Sequence, residues 1–284
     1  MNGKMGAAAY LCKSAPEVLR ATATRASPML SERIRAGLKA GDFRVAFQPI
    51  VHAQTGRLSA VECLLRWQHP QYGLLLPDSF LSAFEDVNAA RDATSFVLES
   101  ACRQMEELRR AGGILPQVAI NIQPSQLVDD SLSETIREVT GRSGLDPCLI
   151  ELEVVETEDL LKVLTTHEFT RSLRRLGVRL ALDDFGAGYA SLVMLDRMHI
   201  DTIKLTREFL PRVPASPLAC TVVSSILDLL AGLGVAATVE GVETDAQLRW
   251  LAQRPDVNVQ GYLIARPQPT LAAAVAAIDG TPSA

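Results

Sequence analysis

The sequence predicts an α/β fold, a TIM-like (β/α)8 barrel with the first strand antiparallel. Short apolar runs alternate with amphipathic stretches to the end of the chain without a break in composition. About eight such repeats are the number that closes a mostly parallel sheet into a barrel. The first two predicted strands are joined only by Gln54-Thr55-Gly56, which is too short for a helical crossover, so these strands should run antiparallel.

The apolar runs give eight predicted strands. In chain order they are Arg44–Val51, Leu58–Trp67, Gln117–Ile122, Leu149–Val154, Val178–Asp183, Thr202–Leu205, Ala236–Glu240 and Val257–Leu263. Between most of them, apolar residues recur at the spacing of one helical face, which predicts helices. These helices are Ala93–Arg110, Leu132–Thr140, Thr166–Leu176, Ala219–Leu233, Asp245–Ala252 and Thr270–Ile278.

Ahead of the barrel, residues 1–30 lack sustained periodicity, which predicts a flexible or partly helical leader followed by a barrel domain over residues 31–284. Ser31 is expected to cap a helix that runs to about Ala40, and Gly41-Asp42 is expected to end it. A leader of this length is too short to be a sensory domain. We interpret it as a linker from a longer protein or as the attachment point of a regulatory partner.

Composition narrows the possible partners and the location. The net charge of −5 and the absence of a basic block argue against duplex nucleic acid, whereas a small anionic ligand is compatible if metal ions or local cations receive it. The five cysteines form no CxxC pair, which favours reduced thiols and a cytoplasmic location. No apolar run approaches the ~20 residues that a membrane span needs.

Polar residues fall at the carboxyl ends of the predicted strands, where barrel enzymes place their chemistry. The fifth predicted strand ends on two adjacent carboxylates, Asp183 and Asp184. Neighbouring buried carboxylates repel each other, so a positive charge is expected beside them. The other polar residues at this end are Glu62, Asn121, Glu153, Lys204, Glu240 and Gln260.

Each of these residues has an ordinary structural explanation when it is taken alone. Glu62 could pair with Arg66, and Asn121 could cap the next segment. Lys204 could extend its ammonium group out of the barrel. Because so many coincidences would have to fall at one end of one barrel, a shared site is the better explanation.

The residue types of that site indicate metal-assisted chemistry. Carboxylates and an amide oxygen, without His or Cys, form a hard oxygen environment that suits Mg²⁺ or Mn²⁺. Several carboxylates can hold two ions about 3.5–4 Å apart, an arrangement suited to in-line displacement at phosphorus. Lys204 is expected to be a mobile cation that orients a water, and Arg66 is expected to hold a phosphate.

Two shorter motifs are set aside. Asp184-Phe185-Gly186 matches the kinase metal-binding triplet, but the glycine-rich phosphate loop and the HRD catalytic loop are missing from the sequence. Gly186-Ala187-Gly188 resembles the start of a dinucleotide fingerprint, but no third glycine follows at the required position.

From about Phe43 to Pro267 the chain resembles an EAL domain, the cyclic di-GMP phosphodiesterase family of bacterial signalling. The matching segments are Phe47-Gln48-Pro49-Ile50-Val51, Glu62-Cys63-Leu64-Leu65-Arg66-Trp67, Asn121-Ile122, Glu151-Leu152-Glu153-Val154-Val155-Glu156, Asp183-Asp184-Phe185-Gly186-Ala187-Gly188-Tyr189, Ile203-Lys204, Val239-Glu240-Gly241-Val242-Glu243-Thr244 and Gln260-Gly261-Tyr262. The resemblance implies a two-metal hydrolase that converts cyclic di-GMP to linear 5'-pGpG. It also implies a homodimer.

The resemblance further implies a role for each matching residue. Those that match metal ligands are Glu62, Asn121, Glu153, Asp183 and Asp184, with Asp183 bridging the two ions. Those that match catalytic and supporting residues are Lys204, Glu240, Gln260, Glu156 and Glu243. Substrate contacts are implied for Gln48, Leu64 and Arg66.

The chain departs from the family pattern at several positions. Cys63 stands where Ala is usual, and we expect its side chain to point away from Glu62 and pack outside the barrel. Gln123 stands where Ser is usual, and Thr206 where Asp is usual. Val155, Ala187 and Ala190 replace the usual Thr, Thr and Ser, which predicts a loop that has lost part of its hydrogen bonding and a weak activity.

Three functional interpretations follow. The leading one is an active phosphodiesterase, because every residue that matches a metal ligand is present. The alternative is a non-catalytic receptor with the EAL fold that binds cyclic di-GMP or a protein partner. Another Mg²⁺-dependent barrel enzyme, for instance one acting on enolates, explains the two adjacent aspartates less well.

Overall fold

The computed structural model describes residues 28–128, 130–155, 171–186, 195 and 199–279. In this part of the chain the strands are β1 (Phe43–His52), β2 (Leu58–His69), β3 (Gly73–Leu75), β4 (Gln117–Ile122), β5 (Ile150–Val155), β6 (Arg179–Phe185), β7 (Thr202–Leu205), β8 (Ala236–Val239) and β9 (Val257–Val259). The helices are α1 (Pro28–Ala40), α2 (Val87–Arg110), α3 (Ser131–Ser143), α4 (Arg171–Arg175), α5 (Pro217–Leu233), α6 (Asp245–Leu251) and α7 (Leu271–Asp279).

The strands close into a barrel. They follow the order β1-β9-β8-β7-β6-β5-β4-β2-β3, and an additional pairing of β1 with β2 joins the two ends. β1 is antiparallel to both β2 and β9, whereas the pairs from β2–β4 round to β8–β9 are parallel. The predicted barrel and its antiparallel first strand are therefore confirmed. The short β3 was not predicted, and it pairs antiparallel with β2 outside the closed ring.

Alternation along each strand separates an apolar layer from a polar interior. Leu152 and Val154 of β5 belong to the hydrophobic core, while Glu151 and Glu153 lie on the opposite face. On β2, Cys63 is buried in the same apolar layer, as predicted, on the face opposite Glu62. Hydrophobic burial between strands and helices stabilises the fold, and it leaves the interior free for polar side chains.

Two predicted helix starts differ from the structure. The expected N-cap at Ser31 is wrong, because α1 begins at Pro28 and the Ser31 hydroxyl donates to the carbonyl of Ala83 at 3.0 Å. α2 begins at Val87, earlier than predicted, because the Asp86 carboxylate accepts a hydrogen bond from the Ala89 amide at 2.9 Å.

Other boundaries shift for local reasons. The predicted last strand is too long, because β9 ends at Val259. At Gly261 the backbone passes so close to Val242 that a Cβ would lie 2.1 Å from the Val242 carbonyl oxygen. The predicted helix Thr166–Leu176 is described only from residue 171, where α4 lies.

The remaining sequence predictions concern the leader and membrane spans. The division of the chain at residue 30 stays a prediction, since residues 1–27 lie outside them. Within the described ranges, none of the helices combines the length and the apolar character required to cross a membrane.

Candidate active site

Lys204 of β7 lies at the centre of the barrel mouth and is only 1% exposed. Its Nζ atom lies 2.8 Å from Glu240 Oε1 and 2.9 Å from Glu153 Oε2. Asp183 Oδ1 lies 3.4 Å away and Glu62 Oε2 lies 3.5 Å away. The expectation that Lys204 is a mobile cation is therefore wrong, because four carboxylates from four parts of the barrel hold its ammonium group in place.

Amide side chains complete the contacts of Glu62. Asn121 Nδ2 donates to Glu62 Oε1 at 2.9 Å, and Gln260 Nε2 donates to Glu62 Oε2 at 2.7 Å. Gln48 lies opposite Glu62 in the β1–β2 register, and its Nε2 donates to the Ala265 carbonyl at 3.2 Å. Residues that are far apart in the sequence thus meet at one point, as the shared-site interpretation requires.

Attraction between Lys204 and the acids around it shifts the pKa values of Lys204 and Glu62 in opposite directions. Burial opposes ionisation of Lys204, but attraction to the surrounding carboxylates outweighs it and raises the pKa of Lys204 well above its usual range. Burial also opposes ionisation of Glu62, yet Lys204 and the two amide donors lower its pKa.

The pKa values of Glu153 and Glu240 are raised, in contrast to that of Glu62. Burial raises the pKa of Glu153 well above its usual value despite attraction to Lys204, and repulsion from Glu62 and Asp183 adds to the increase. Burial and repulsion from neighbouring acids raise the pKa of Glu240 to about 7. One ammonium group does not neutralise this cluster, so further positive charge would be received favourably.

Several oxygen atoms of the cluster are placed to receive a cation. Glu153 Oε1 and Gln260 Oε1 are buried and have no hydrogen-bond donor. Asp183, Asp184 and Glu240 each offer a carboxylate oxygen, and these oxygens lie within 4.8 Å of one another. Buried acceptors without donors are rare and call for an ion or water. This all-oxygen donor set fits a hard divalent cation such as Mg²⁺ or Mn²⁺.

A β-bulge brings the two adjacent aspartates into the same cluster. Successive residues of a regular strand point to opposite faces, but the β6–β7 register slips between Leu182 and Phe185. Asp184 has a left-handed φ of 55°, and its amide donates to Asp183 Oδ1 at 2.9 Å. Burial, together with repulsion from Asp183, raises the pKa of Asp184. A strained backbone of this kind is often found at functional sites.

Two glycines after β6 and β8 pack against one short turn, Arg207–Phe209. A Cβ on Gly186 would lie 2.4 Å from the Phe209 ring, and Gly186 has a φ of 98°. A Cβ on Gly241 would lie 2.3 Å from Arg207 Cβ, and Gly241 has a φ of 70°. Only glycine fits these close approaches, which fix the strand ends that carry the acids.

An open cleft of about 250 Å³ leads to the acidic cluster. Its lining includes Arg207, Gly261 and Tyr262, to which the sequence had given no role. Tyr262 follows Gln260 in a recognised motif, whereas no spacing singled out Arg207. The residues that line the cleft are Gln48, Glu62, Asp183, Arg207, Glu240, Gly241, Glu243, Gln260, Gly261 and Tyr262.

Three predicted site residues belong neither to this lining nor to the contacts described above for the acidic cluster. Leu64 and Arg66 lie on the same face of β2 as Glu62, beyond it along the strand, and Arg66 Nη1 donates to the Leu65 carbonyl at 2.9 Å. Glu156 lies outside the described residues. Ala187 and Ala190 also lie outside them, but Val155 is described, is 38% exposed and pairs with Asp183 in the β5–β6 register.

A second charged cluster lies inside the barrel, toward the amino ends of the strands. Glu151 Oε2 accepts a hydrogen bond from Thr202 Oγ1 at 2.7 Å and lies 3.5 Å from Arg179 Nε. Burial raises the pKa of Glu151, although Thr202 and Arg179 oppose the shift. In this cluster the negative charge of Glu151 is balanced by the positive charge of Arg179.

Fold and site together define an α/β-barrel protein with an acidic, lysine-centred site at the carboxyl ends of its strands. More specifically, the chain belongs to the EAL domain family, whose sequence model matches residues 31–267.

Relatives with curated names agree with this assignment. The chain is 36% identical over 243 residues to the "Cyclic di-GMP phosphodiesterase NbdA" of Pseudomonas aeruginosa, a match that covers 86% of this chain and 31% of that protein. It is 35% identical over 242 residues to the "Cyclic di-GMP phosphodiesterase RocR" of the same organism, covering 85% and 61%. The chain thus spans less than two thirds of the length of these relatives.

Solved structures show the same fold. A PaMucR phosphodiesterase in complex with c-di-GMP superposes with a TM-score of 0.75 at 33% identity, covering 85% of this chain and 98% of that one. The EAL enzyme Bd1971, in a form with cAMP and cyclic-di-GMP bound, gives a TM-score of 0.76 at 25% identity, covering 88% and 68%.

Proposed function

We propose that this chain hydrolyses one phosphodiester bond of cyclic di-GMP to give linear 5'-pGpG, with two Mg²⁺ or Mn²⁺ ions as cofactors. The observation that carries the proposal is the cluster of four carboxylates around Lys204 at the base of an open cleft. Relatives that match most of this chain are named cyclic di-GMP phosphodiesterases, which supports cyclic di-GMP as the substrate.

The roles of the site residues are part of this proposal. The residues that would hold the ions are Glu62, Asn121, Glu153, Asp183 and Asp184. Those that would position and activate the attacking water are Lys204 and Glu240, with Gln260 and Glu156 in support. Those that would contact the substrate are Gln48, Leu64 and Arg66. When bound, the metal ions would polarise the phosphate and lower the pKa of a water.

The chain's own groups supply fixed charge and a proton acceptor. Glu153 and Glu240 hold the Lys204 ammonium group in place, so it would offer a fixed positive charge beside the attacked phosphate. Glu240, whose pKa lies at about 7, is suited to take a proton from water near neutral pH. Gln260 and Asn121 keep Glu62 ionised and oriented through their amide donors.

We also propose a homodimer and a cytoplasmic location. Leu218, Val222, Leu229 and Leu233 give α5 an exposed apolar face, which supports contact with another protein surface. The described cysteines are free thiols, which supports a reducing compartment. A regulatory domain or partner agrees with the greater length of the relatives.

The decisive experiment is to incubate the full chain with cyclic di-GMP and Mn²⁺ and to measure pGpG by chromatography. Asp183→Asn should abolish the product, because it removes charge from the proposed bridging ligand, whereas the exposed Glu138→Gln on α3 serves as the matched control. Tight binding of cyclic di-GMP without product would select the receptor alternative. If the chain neither bound cyclic di-GMP nor formed pGpG, the proposal would be refuted.

A further inference from the structure

Arg207 is the one cationic side chain among the described residues that line the cleft. It is exposed, and no hydrogen bond or ion pair joins its side chain to another residue in the described part of the chain. The walls around it include the acids Glu240 and Glu243. An unpaired guanidinium group among acids is free to take a negatively charged ligand.

The position of Arg207 is set by packing. Gly241 lies directly against it, since a Cβ at Gly241 would lie only 2.3 Å from Arg207 Cβ and 3.2 Å from Arg207 Cα. On the same turn, Phe209 packs over Gly186. Contacts at both ends of the turn hold the base of the Arg207 side chain beside the cleft, while its guanidinium group remains accessible.

We propose that Arg207 binds the second phosphate of the substrate, the one that is not being hydrolysed. This inference rests on the proposed function, because a cyclic dinucleotide carries two phosphodiester groups. With one of them at the acidic cluster, the other would lie along a cleft whose other polar lining residues are acids, amides and Tyr262. The planar fork of an arginine matches the oxygens of a phosphate, and it is the cation that this cleft offers.

A contact with the non-reacting phosphate changes little between the bound substrate and the transition state. Its loss should therefore raise KM and leave kcat nearly unchanged. A hydrogen bond to a charged group contributes enough that Arg207→Ala should raise KM and the Kd of cyclic di-GMP by about 10- to 100-fold. Arg207→Lys keeps the charge but loses the fork, so its effect should be intermediate.

The test measures kcat, KM and Mn²⁺ activation for the full chain carrying Arg207→Ala, Arg207→Lys or Arg212→Ala. Arg212 is an exposed arginine a few residues further along, outside the cleft lining, and serves as the matched control. The expected result is a KM effect confined to the Arg207 variants, with an unchanged Mn²⁺ requirement and an unchanged unfolding midpoint.

Three outcomes would overturn the inference. Arg207→Ala could leave KM equal to that of Arg212→Ala, or it could lower kcat with KM unchanged, or it could shift the unfolding midpoint in proportion to activity. All three assume that the unaltered chain hydrolyses cyclic di-GMP. If it does not, the proposed function fails first, so the two failures are distinguishable.

Gly241→Ala provides an independent check, because its Cβ would displace Arg207 without removing the charge. Because Gly241 also fixes the strand end that carries Glu240, a folded variant should lose kcat as well, so only KM is compared. KM should rise as it does in Arg207→Ala, and combining the two changes should add little further to KM. Additive effects on KM would contradict the assigned contact.

Discussion

The barrel interior holds two charged clusters that differ in their balance of charge. Toward the amino ends of the strands, Glu151 meets Arg179 and Thr202. At the mouth, four carboxylates share the single ammonium group of Lys204, and two buried oxygens lack donors. The Glu151–Arg179 cluster is balanced in charge, although Arg179 Nε is itself buried without a hydrogen-bond acceptor among the described residues, whereas an excess of acid requires positive charge from outside. The imbalance, more than burial, distinguishes the candidate site from a structural ion pair.

Removing the cation from the unbalanced cluster should have the largest effect. Lys204→Met leaves the carboxylates without a counter-charge, and breaking a buried ion pair by removing one partner costs about 3–5 kcal/mol. We expect a loss of stability of this size in urea unfolding and no detectable pGpG. Lys39→Met, at the exposed end of α1, is the control and should change neither. Full stability of Lys204→Met without metal would contradict the charge argument.

Adding the missing positive charge should stabilise the protein. A ligand that binds only the folded state at 100 times its Kd contributes about 2.7 kcal/mol. Mn²⁺ should therefore raise the unfolding free energy, and EDTA should reverse the gain. Asp183→Asn should remove most of this response, whereas Glu151→Gln should retain it. An equal response in both variants would show that the metal binds elsewhere.

Altering the balanced cluster should affect stability more than chemistry. Glu151→Gln keeps an oxygen for the Thr202 hydroxyl but gives up the charge beside Arg179, and a hydrogen-bond change of this kind costs about 1–2 kcal/mol. We expect turnover within a few-fold of the unaltered chain, measured beside the unfolding free energy. If turnover fell as far as in Lys204→Met, the two clusters would have to be treated as one site.

The smallest expected effect concerns Val155, at the end of β5, and two positions that follow Gly186 in the sequence. Restoring Thr at 155, Thr at 187 and Ser at 190 should add hydrogen bonds worth about 0.5–1.5 kcal/mol each, enough to raise kcat several-fold. Val155 lies beside Asp183 in the sheet, while positions 187 and 190 lie outside the described residues. Turnover is compared with that of Val155→Thr alone. No gain from the triple change would argue against a weakened loop.

The sequence was sufficient for the architecture because the relevant signals are local and periodic. Strand–helix alternation predicted the barrel, and the short Gln54–Gly56 connection predicted the antiparallel pairing of β1 with β2. The carboxyl ends of parallel strands meet at one rim, so Asn121, Glu153 and Lys204 could be assigned to one site before any distance was known.

Features that depend on packing between distant residues could not be predicted. Ser31 resembles a helix cap in sequence, but its hydroxyl is taken by Ala83, 52 residues away. Lys204 was expected to be mobile because a lysine side chain is flexible on its own, and only the folded barrel surrounds it with acids. Arg207 reaches the cleft because Gly241 admits its backbone, which is a contact that no local pattern encodes.

The bulge at Asp183 and Asp184 has a consequence for how this strand tolerates change in length. The extra residue sets the phase of everything after it, so Phe185 faces the core and Gly186 reaches the Phe209 ring. Deleting one aspartate would remove the bulge and bring the strand back into regular alternation. Leu182, the remaining aspartate and Phe185 would then stand opposite Ile203, Lys204 and Leu205, with Phe185 still on the core face. The sheet register therefore accommodates a one-residue deletion here, at the cost of one acid and of the left-handed turn at Asp184, whereas substitution tests each acid with the bulge in place.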